Sequence, residues 1–357
     1  MNYKHILITG GAGFVGSNIA LRLRNLHPNI VITVLDNLKR RGSELSISRL
    51  ADQNIQFVHG DIRNKEDFEG IGSYDLMIEC SAEPSVLAGV GESPEYVINT
   101  NLIGAINCFE SCRKNSADII FLSTSRVYPI KTLNNIEVEE CETRFEIKRE
   151  QKKQGLSEEG ISEIFPLIGA RSLYGATKLS SEIILQEYFD TYGIRGVINR
   201  CGVITGPWQM GKIDQGVIVL WIARHIWNNK PLSYIGYGGT GKQVRDFIHI
   251  EDLFDAVHTQ IQDIDKYTRE TFNIGGGREN SLSLLELTTL CESISGNHIE
   301  ISKVEKDRPN DVRVYLSDTS KIQKISNWKC KINAEKTIED IYKGIIDNKT
   351  SLENILN

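Results

Sequence analysis

An α/β fold built on a doubly wound parallel sheet, with a smaller mixed domain after it, is the architecture this sequence predicts. Three observations carry that expectation. Short apolar, β-branched runs alternate with helical stretches, glycines cluster at the first strand–helix junction, and the pattern changes beyond Arg200.

The first run, His5–Thr9 (HILIT), lacks a polar face, as a strand buried on both sides should. Glycines follow it, and Phe14–Arg24 then reads as a helix. Val31–Leu35 is a second buried strand, and Gln56–His59, Leu76–Glu79 and Ile119–Ser123 are three more. Helical patterns cover Glu44–Asp52, Pro94–Lys114 and Tyr174–Tyr192. The stretch 129–172 breaks the alternation. It is charged (KREQKKQG, SEEG), has no sustained period, and is expected to be a lid-like or wall-forming insertion; a solvated surface segment is the alternative. Beyond Arg200, glycines and aromatics cluster in Tyr234–Gly241 and a second glycine group occupies Gly275–Gly277. Val244–His249 and Leu253–Gln260 read as strand then helix.

The bulk numbers exclude several classes. The chain has 357 residues, 40% hydrophobic and 25% charged, with a net charge of −6. A mildly acidic protein has no electrostatic footprint for nucleic acid or an anionic membrane, so an anionic ligand must be met by local cations or backbone amides. Seven cysteines, with no Cys-x-x-Cys pair, argue against a disulfide scaffold or a zinc ribbon, and no metal ligand set is assigned. Reduced thiols fit a cytoplasmic setting. No charged leader precedes a removable apolar segment at the N-terminus, and the apolar stretch Val217–Trp227 is too short and too polar to span a bilayer.

Gly10, Gly13 and Gly16 stand in TGGAGFVG, between the first strand and the first helix. Glycines at this spacing allow a tight turn, close approach of backbone to a pyrophosphate, and close helix–strand packing. The helix N-terminus adds N–H groups and a partial positive charge. The string alone is common; its context gives it weight, because Asp36 ends the second strand 20 residues after Gly16. A carboxylate there suits the adenosine ribose hydroxyls and would repel a 2′-phosphate, which selects NAD over NADP. Lys39, Arg40 and Arg41 would pull the other way if they faced the ribose; a solvated turn or another anion is their alternative use. Asp61 stands where the adenine end would lie, or is a plain turn residue. The domain expectation is a Rossmann-like NAD-binding domain over 1–200 carrying the insertion 129–172. A substrate-binding domain covers 201–357, with part of 244–275 threading back to the sheet.

Tyr174 and Lys178 form a Tyr-x-x-x-Lys on a predicted helix, which puts both on one face. They lie downstream of the glycine loop and of Ser123-Thr124-Ser125, which ends an apolar strand. Strand C-termini are where doubly wound folds build sites. Oxidising a secondary alcohol needs a base for the hydroxyl proton. A tyrosine serving near neutral pH must lose about three pKa units, roughly 4 kcal/mol. The Lys178 ammonium and a cationic nicotinamide both favour the phenolate, and Thr124 would orient the reacting oxygen.

These residues, with ITGGAGFVGSN, LDNL, FVHGDIRN, NTNLIGAIN, FLSTSRVY, YGATKLSSE, GKQVRDFIHIEDL, FNIGGG and RPNDVR, resemble the extended short-chain dehydrogenase/reductase family of sugar-nucleotide epimerases and dehydratases. The resemblance runs over nearly the whole chain. It implies an NAD-dependent enzyme with Thr124, Tyr174 and Lys178 as catalytic triad. It extends cofactor contact from Gly10, Gly13, Gly16 and Asp36 to Phe14, Val15, Asn37, Asp61, Ile62, Asn101, Tyr174 and Lys178, with Lys178 placed to bond the nicotinamide ribose. It implies a homodimer or homotetramer built through the helices holding Asn101 and Tyr174. DNLKRRGS, ETRFEI, DQGVIVLW and SLSLLEL resemble, within the family, a branch that epimerises C2 of CDP-linked sugars.

The sequence also departs from the family. The strand that often exits in His-Leu-Ala-Ala ends here in Glu79-Cys80-Ser81-Ala82, Tyr128 is followed by Pro129, and Val203 stands where an asparagine often meets the substrate diphosphate. Arg245 and Arg308 are the expected diphosphate ligands, since guanidinium suits phosphate geometry. A structural pair between Arg245 and Asp246 is the alternative, and Arg313 is as fit for the surface as for binding. Trp208, Gln209, Asp214 and Gln215 stay unassigned, and His249 reads as a core histidine. Related dehydratases place an Asp-Glu pair after the catalytic threonine; Ser125 and Arg126 stand there instead, so epimerisation of a nucleotide diphosphate sugar is expected. A UDP-sugar 4-epimerase, a dehydratase or reductase, and a non-catalytic dinucleotide-binding protein are the alternatives, in that order.

Overall fold

Burial on both faces explains the apolar strands. In the computed structural model, which describes residues 2–211, 215–228 and 230–356, Ile6, Leu7 and Ile8 have no exposed surface at all. They belong to β1 (His5–Thr9), an interior strand of a seven-stranded sheet. Following the chain, α1 (Phe14–Leu26), β2 (Val31–Asp36), α2 (Ser46–Ala51), β3 (Gln56–His59) and β4 (Leu76–Glu79) come next. A continuous helical rod then runs through α3 (Glu95–Ile98), a π-helical turn at Asn99–Gly104, and α4 (Ala105–Asn115), before β5 (Asp118–Thr124).

The chain continues through α5 (Ile130–Asn134) and two small hairpins, β6 (Val138–Glu140) with β7 (Phe145–Ile147) and β8 (Leu156–Ser157) with β9 (Gly160–Ile161). It returns in α6 (Leu173–Tyr192) and β10 (Gly196–Cys201). There follow β11 (Val203–Thr205), α7 (Val217–Trp227), β12 (Leu232–Ile235), β13 (Val244–His249), α8 (Ile250–Gln262), α9 (Ile264–Tyr267) and β14 (Thr271–Ile274). The last elements are β15 (Ser281–Ser283), α10 (Leu284–Ser295), β16 (Ile301–Val304), β17 (Val314–Tyr315), α11 (Ser320–Ser326), α12 (Ala334–Asp347) and α13 (Lys349–Leu356).

Two compact units result. The first comprises Met1–Val127, Leu173–Arg200 and Phe254–Phe272. Its strands follow the order β14-β10-β5-β4-β1-β2-β3, a parallel Rossmann-like sheet whose strand order reverses between β1 and β4. That reversal is where such sheets open a crevice beyond their strand C-termini. Phe109, Phe121, Leu185 and Phe189 fill the space between sheet and helices.

The second unit comprises Tyr128–Ser172, Cys201–Leu253 and Asn273–Asn357. The charged segment 129–172 is grouped there and carries its own buried residues, Phe145, Ile147, Ile161 and Phe165. Its lack of period reflects two hairpins of two and three residues per strand, too short to show one. In the same unit β13 pairs with β11, β15 and β17. Helix α10 starts with a capping box: Ser283 accepts from the Glu286 amide at 3.0 Å while the Ser283 amide donates back to the Glu286 carboxylate at 2.9 Å.

Candidate active site

The three glycines of the loop after β1 do three different things. Gly10 has φ +63°, and a Cβ there would lie 2.9 Å from the Cys80 backbone, so only glycine fits the turn. A Cβ on Gly16 would lie 2.4 Å from the Gly10 carbonyl oxygen, which locks α1 against the loop. A Cβ on Gly13 would meet only the Gly10 oxygen, at 3.1 Å. Its outer side is open, with the first turn of α1, Phe14 and Val15, following it. That is the cradle a pyrophosphate requires, and the residues present fit the group.

Asp36 ends β2 beside this loop. Its Oδ2 accepts from the amides of Ala12 (3.1 Å) and Gly13 (3.2 Å), and its Oδ1 from Leu38 (2.8 Å). Burial raises its carboxyl above the ordinary range, against the pull of those amides. Asn37 donates to Asp61 at 2.8 Å, and Arg63 forks onto the same carboxylate at 2.7 Å. Ile62 is buried, and a Cβ on Gly104 would lie 2.6 Å from its side chain. Lys39 lies over the Tyr96 ring at 5.1 Å and Arg63 at 5.0 Å. One aromatic ring thus engages two cations, which offers Lys39 a use other than a 2′-phosphate.

The catalytic candidates gather at the same edge of the sheet. Thr124 is the last residue of β5, and its hydroxyl accepts from the Arg126 amide at 3.2 Å. Tyr174 and Lys178 lie one turn apart on α6, Tyr174 half-buried and Lys178 only 1% exposed. The Lys178 ammonium donates to Glu79 Oε2 at 3.2 Å and lies 4.0 Å from the centre of the Phe121 ring. Glu79 ends β4 in register with Thr9, the residue before Gly10. The lysine of the Tyr-Lys pair is thereby tied to the strand adjoining the nucleotide loop.

Asn101 lies in the π-helical turn, buried, with its amide engaged by the chain. Oδ1 accepts from the Glu83 amide at 2.8 Å; Nδ2 donates to the Glu83 carbonyl at 3.0 Å and to Thr177 at 3.3 Å. What it fixes is the Glu83 backbone and the first turns of α6. One turn beyond Lys178, Glu182 is clasped by Arg200 of β10 at 2.8 Å and accepts from Ser123 of β5.

Sequence reasoning passed over Glu79 as a departure and gave Glu182 no role. The available signal was a pair of acids in otherwise apolar or helix-face positions, since carboxylates are seldom buried without a partner.

In the second unit, Arg245 donates to Asp311 at 2.6 Å and to the Val244 carbonyl at 2.7 Å. Its ion pair is therefore with Asp311 and not with the neighbouring Asp246. Asp246 is fully buried, accepts from the Gly277 and Ser317 amides at 3.1 Å each, and is pushed up to about 6 by burial. Arg308 is half-buried. Arg313 donates to the Asn134 carbonyl at 2.9 Å and lies over the Phe145 ring. His249 is buried, accepts from the Glu251 amide at 3.1 Å, and is held below the ordinary histidine range by burial. Gln209 is bonded to Thr205 and the Ile204 carbonyl, both at 2.9 Å. Trp208 has a left-handed backbone (φ +70°), and Asp214 lies outside the described residues. Among the described residues no three His, Cys, Asp or Glu gather as a metal site, the cysteines form no disulfide, and no helix is long and apolar enough to cross a membrane.

Three comparisons place this geometry among known proteins. The family model described as "NAD dependent epimerase/dehydratase family" matches residues 6–275. CDP-paratose 2-epimerase of Salmonella typhi is 31% identical, over 94% of this chain and 98% of its own length. dTDP-glucose 4,6-dehydratase of Neisseria meningitidis serogroup B is 26% identical, over 99% and 96%. Among solved structures, UDP-glucuronic acid 4-epimerase from Bacillus cereus, in complex with UDP-glucuronic acid and NAD, superposes with a TM-score of 0.78. It covers 96% of this chain and 99% of its own at 24% identity, a likeness of fold.

Proposed function

Because the chain belongs to the NAD-dependent epimerase/dehydratase family, we propose that it inverts one stereocentre of a nucleotide diphosphate sugar, at C2 of a CDP-linked sugar. The observation that carries this is the convergence of Thr124, Tyr174 and Lys178 on the strand edge that holds the glycine loop.

NAD, when bound, would supply reversible hydride-transfer chemistry to the sugar carbon. The chain's own part is to move a proton and hold an oxygen. Tyr174, as phenolate, takes the proton of the reacting hydroxyl and later gives it back. Lys178 favours that phenolate by its charge, and Thr124 hydrogen-bonds the substrate oxygen as hydroxyl and as carbonyl. Gly10, Gly13, Phe14, Val15 and Gly16 receive the pyrophosphate. Asp36 and Asn37 take the adenosine ribose, Asp61 and Ile62 the adenine end, and Asn101 secures the pocket wall.

Arg245 and Arg308 are our choice for the substrate diphosphate, which would compete with Asp311 for Arg245. Epimerisation is favoured over dehydration because elimination needs an added acid and base, and Ser125 and Arg126 supply no carboxylate after Thr124. The intact Tyr174–Lys178 pair speaks against a purely binding role. We further place the enzyme in the cytoplasm, as its reduced cysteines suit, and expect a homodimer or homotetramer through α4 and α6, where Ile183 is 54% exposed.

The test is incubation of the purified protein with CDP- and UDP-sugars, followed by NMR in deuterated water. Inversion at C2 of a CDP-sugar without net redox change is expected. Inversion at C4 of a UDP-sugar would move the assignment to a 4-epimerase, and loss of water would move it to a dehydratase.

A further inference from the structure

Lys178 does not stand alone under its tyrosine. The ammonium and the Glu79 carboxylate are both about 1% exposed and 3.2 Å apart, 99 residues apart in sequence. Neither charge reaches water. The second carboxylate oxygen, Oε1, accepts from the Ser81 amide at 2.8 Å, so the carboxylate cannot swing away without losing that bond. On another side the ammonium has only the Phe121 face, at 4.0 Å. Glu79 and the ring thus define where the Lys178 charge sits.

We propose that Glu79 is a positioning residue for the reaction: a fixed counter-ion that holds the Lys178 ammonium in place and offsets part of its field at Tyr174. The proposal rests on the reading of Tyr174 and Lys178 as base and modulator. With an oxidised nicotinamide bound, the pocket holds two positive centres, the ring and the ammonium. One buried carboxylate offsets one of the two, at a place that water does not reach.

The groups facing this pair are few. On β4 there is Glu79 itself, whose carboxyl burial raises against the pull of Lys178, on α4 the Cys108 and Cys112 thiols, both raised by burial, and on β5 the Phe121 ring. On α6 there are Tyr174 and Glu182, and Glu182 is already neutralised by Arg200 of β10. Removing the Glu79 charge therefore leaves the ammonium unbalanced. An added net positive charge lowers the proton affinity of every neighbour. The Tyr174 phenol ionises at lower pH. The limb of the pH–rate profile that reports the phenol moves toward acid, by about one pH unit.

The experiment compares the NAD-loaded wild type with Glu79→Gln and Glu79→Asp. The first readout is the pH profile of kcat on whichever nucleotide sugar the wild type inverts. The second needs no substrate: ultraviolet difference titration of the Tyr174 phenol, taken against Tyr174→Phe in each background. We expect the Gln variant to shift both toward acid. The Asp variant keeps the charge but withdraws it by one methylene, and should shift less. A folded Glu79→Gln protein whose phenol titrates as in the wild type would overturn the proposal. If the Gln variant does not fold, an unshifted phenol in Glu79→Asp does the same. Absence of turnover by the wild type on every sugar would sink the epimerase reading while the titration still decides the role of Glu79.

Discussion

On the proposed reading, a single oxygen atom at Tyr174 separates an enzyme from a dinucleotide-binding protein. Tyr174→Phe keeps the ring and removes the proton acceptor. Turnover should fall by about 10²–10⁴-fold or more, with NAD still released on denaturing the purified variant. A variant with normal rates would dismiss Tyr174 as the base. Asp61 allows a separate test through pH. Burial would raise its carboxyl, but the bonds from Arg63 and Asn37 outweigh it and bring the group down to about 2. An unfolded aspartate titrates near 3.9, about two units higher. A depressed folded value means stabilisation that is present above the unfolded value and lost as pH falls through the folded one. Asp61→Asn should therefore be less stable than the wild type at about pH 5, with the gap closing toward about pH 2. Urea unfolding across that range checks it, and a gap independent of pH would contradict the Arg63 pairing.

The elements matter through what pins them. Helix α6 carries both Tyr174 and Lys178, and its register is set by contacts the reaction never touches. Glu182 ties it to β10 through Arg200 and to β5 through Ser123, while Ser181 donates to the Asn101 carbonyl at 2.9 Å. Glu182→Ala removes the carboxylate that clasps the buried Arg200 guanidinium, which should cost about 3–5 kcal/mol in urea unfolding. A loss under about 1 kcal/mol would mean the pair is solvated in solution. The π-helical turn Asn99–Gly104 belongs to the same scale. The continuous apolar pattern over 94–114 predicted one helix and gave no hint of the wider turn. That turn holds Asn101, whose amide bonds both Glu83 and Thr177, and π-helical turns recur at functional sites.

Across the whole molecule, the first unit is assembled from three separate stretches of chain. Its strands meet at the loop proposed to receive NAD, so on that reading occupancy and folding are linked. Stripping NAD should lower Tm. Adding it back at about a hundred times its Kd should restore about 2.7 kcal/mol, growing with the logarithm of concentration. A thermal shift series with NAD and NADP measures this, and equal responses to the two would argue against Asp36 as the selector. The placement of 129–172 in the second unit also belongs here. Charge and irregularity marked the segment as an excursion, but its grouping depends on Phe145, Ile161 and Phe165 being buried, and two- and three-residue strands leave no periodic trace.

What the sequence determined by itself is whatever physics writes locally. Strands buried on both faces must be apolar runs, a pyrophosphate turn must be glycine, and a ribose ligand must end the next strand. A Tyr and a Lys that meet on one helix face must be three or four apart. Five strands, and the places of the loop, Asp36, Tyr174 and Lys178 at strand ends and on one helix, were legible for that reason. Tertiary structure alone decided which charge neutralises which: Glu79 with Lys178, Glu182 with Arg200, Arg245 with Asp311 instead of Asp246. A buried charge must find a partner, but nothing in local spacing says where. Coulomb attraction in a dry interior is satisfied by whatever carboxylate the packed strands bring within reach.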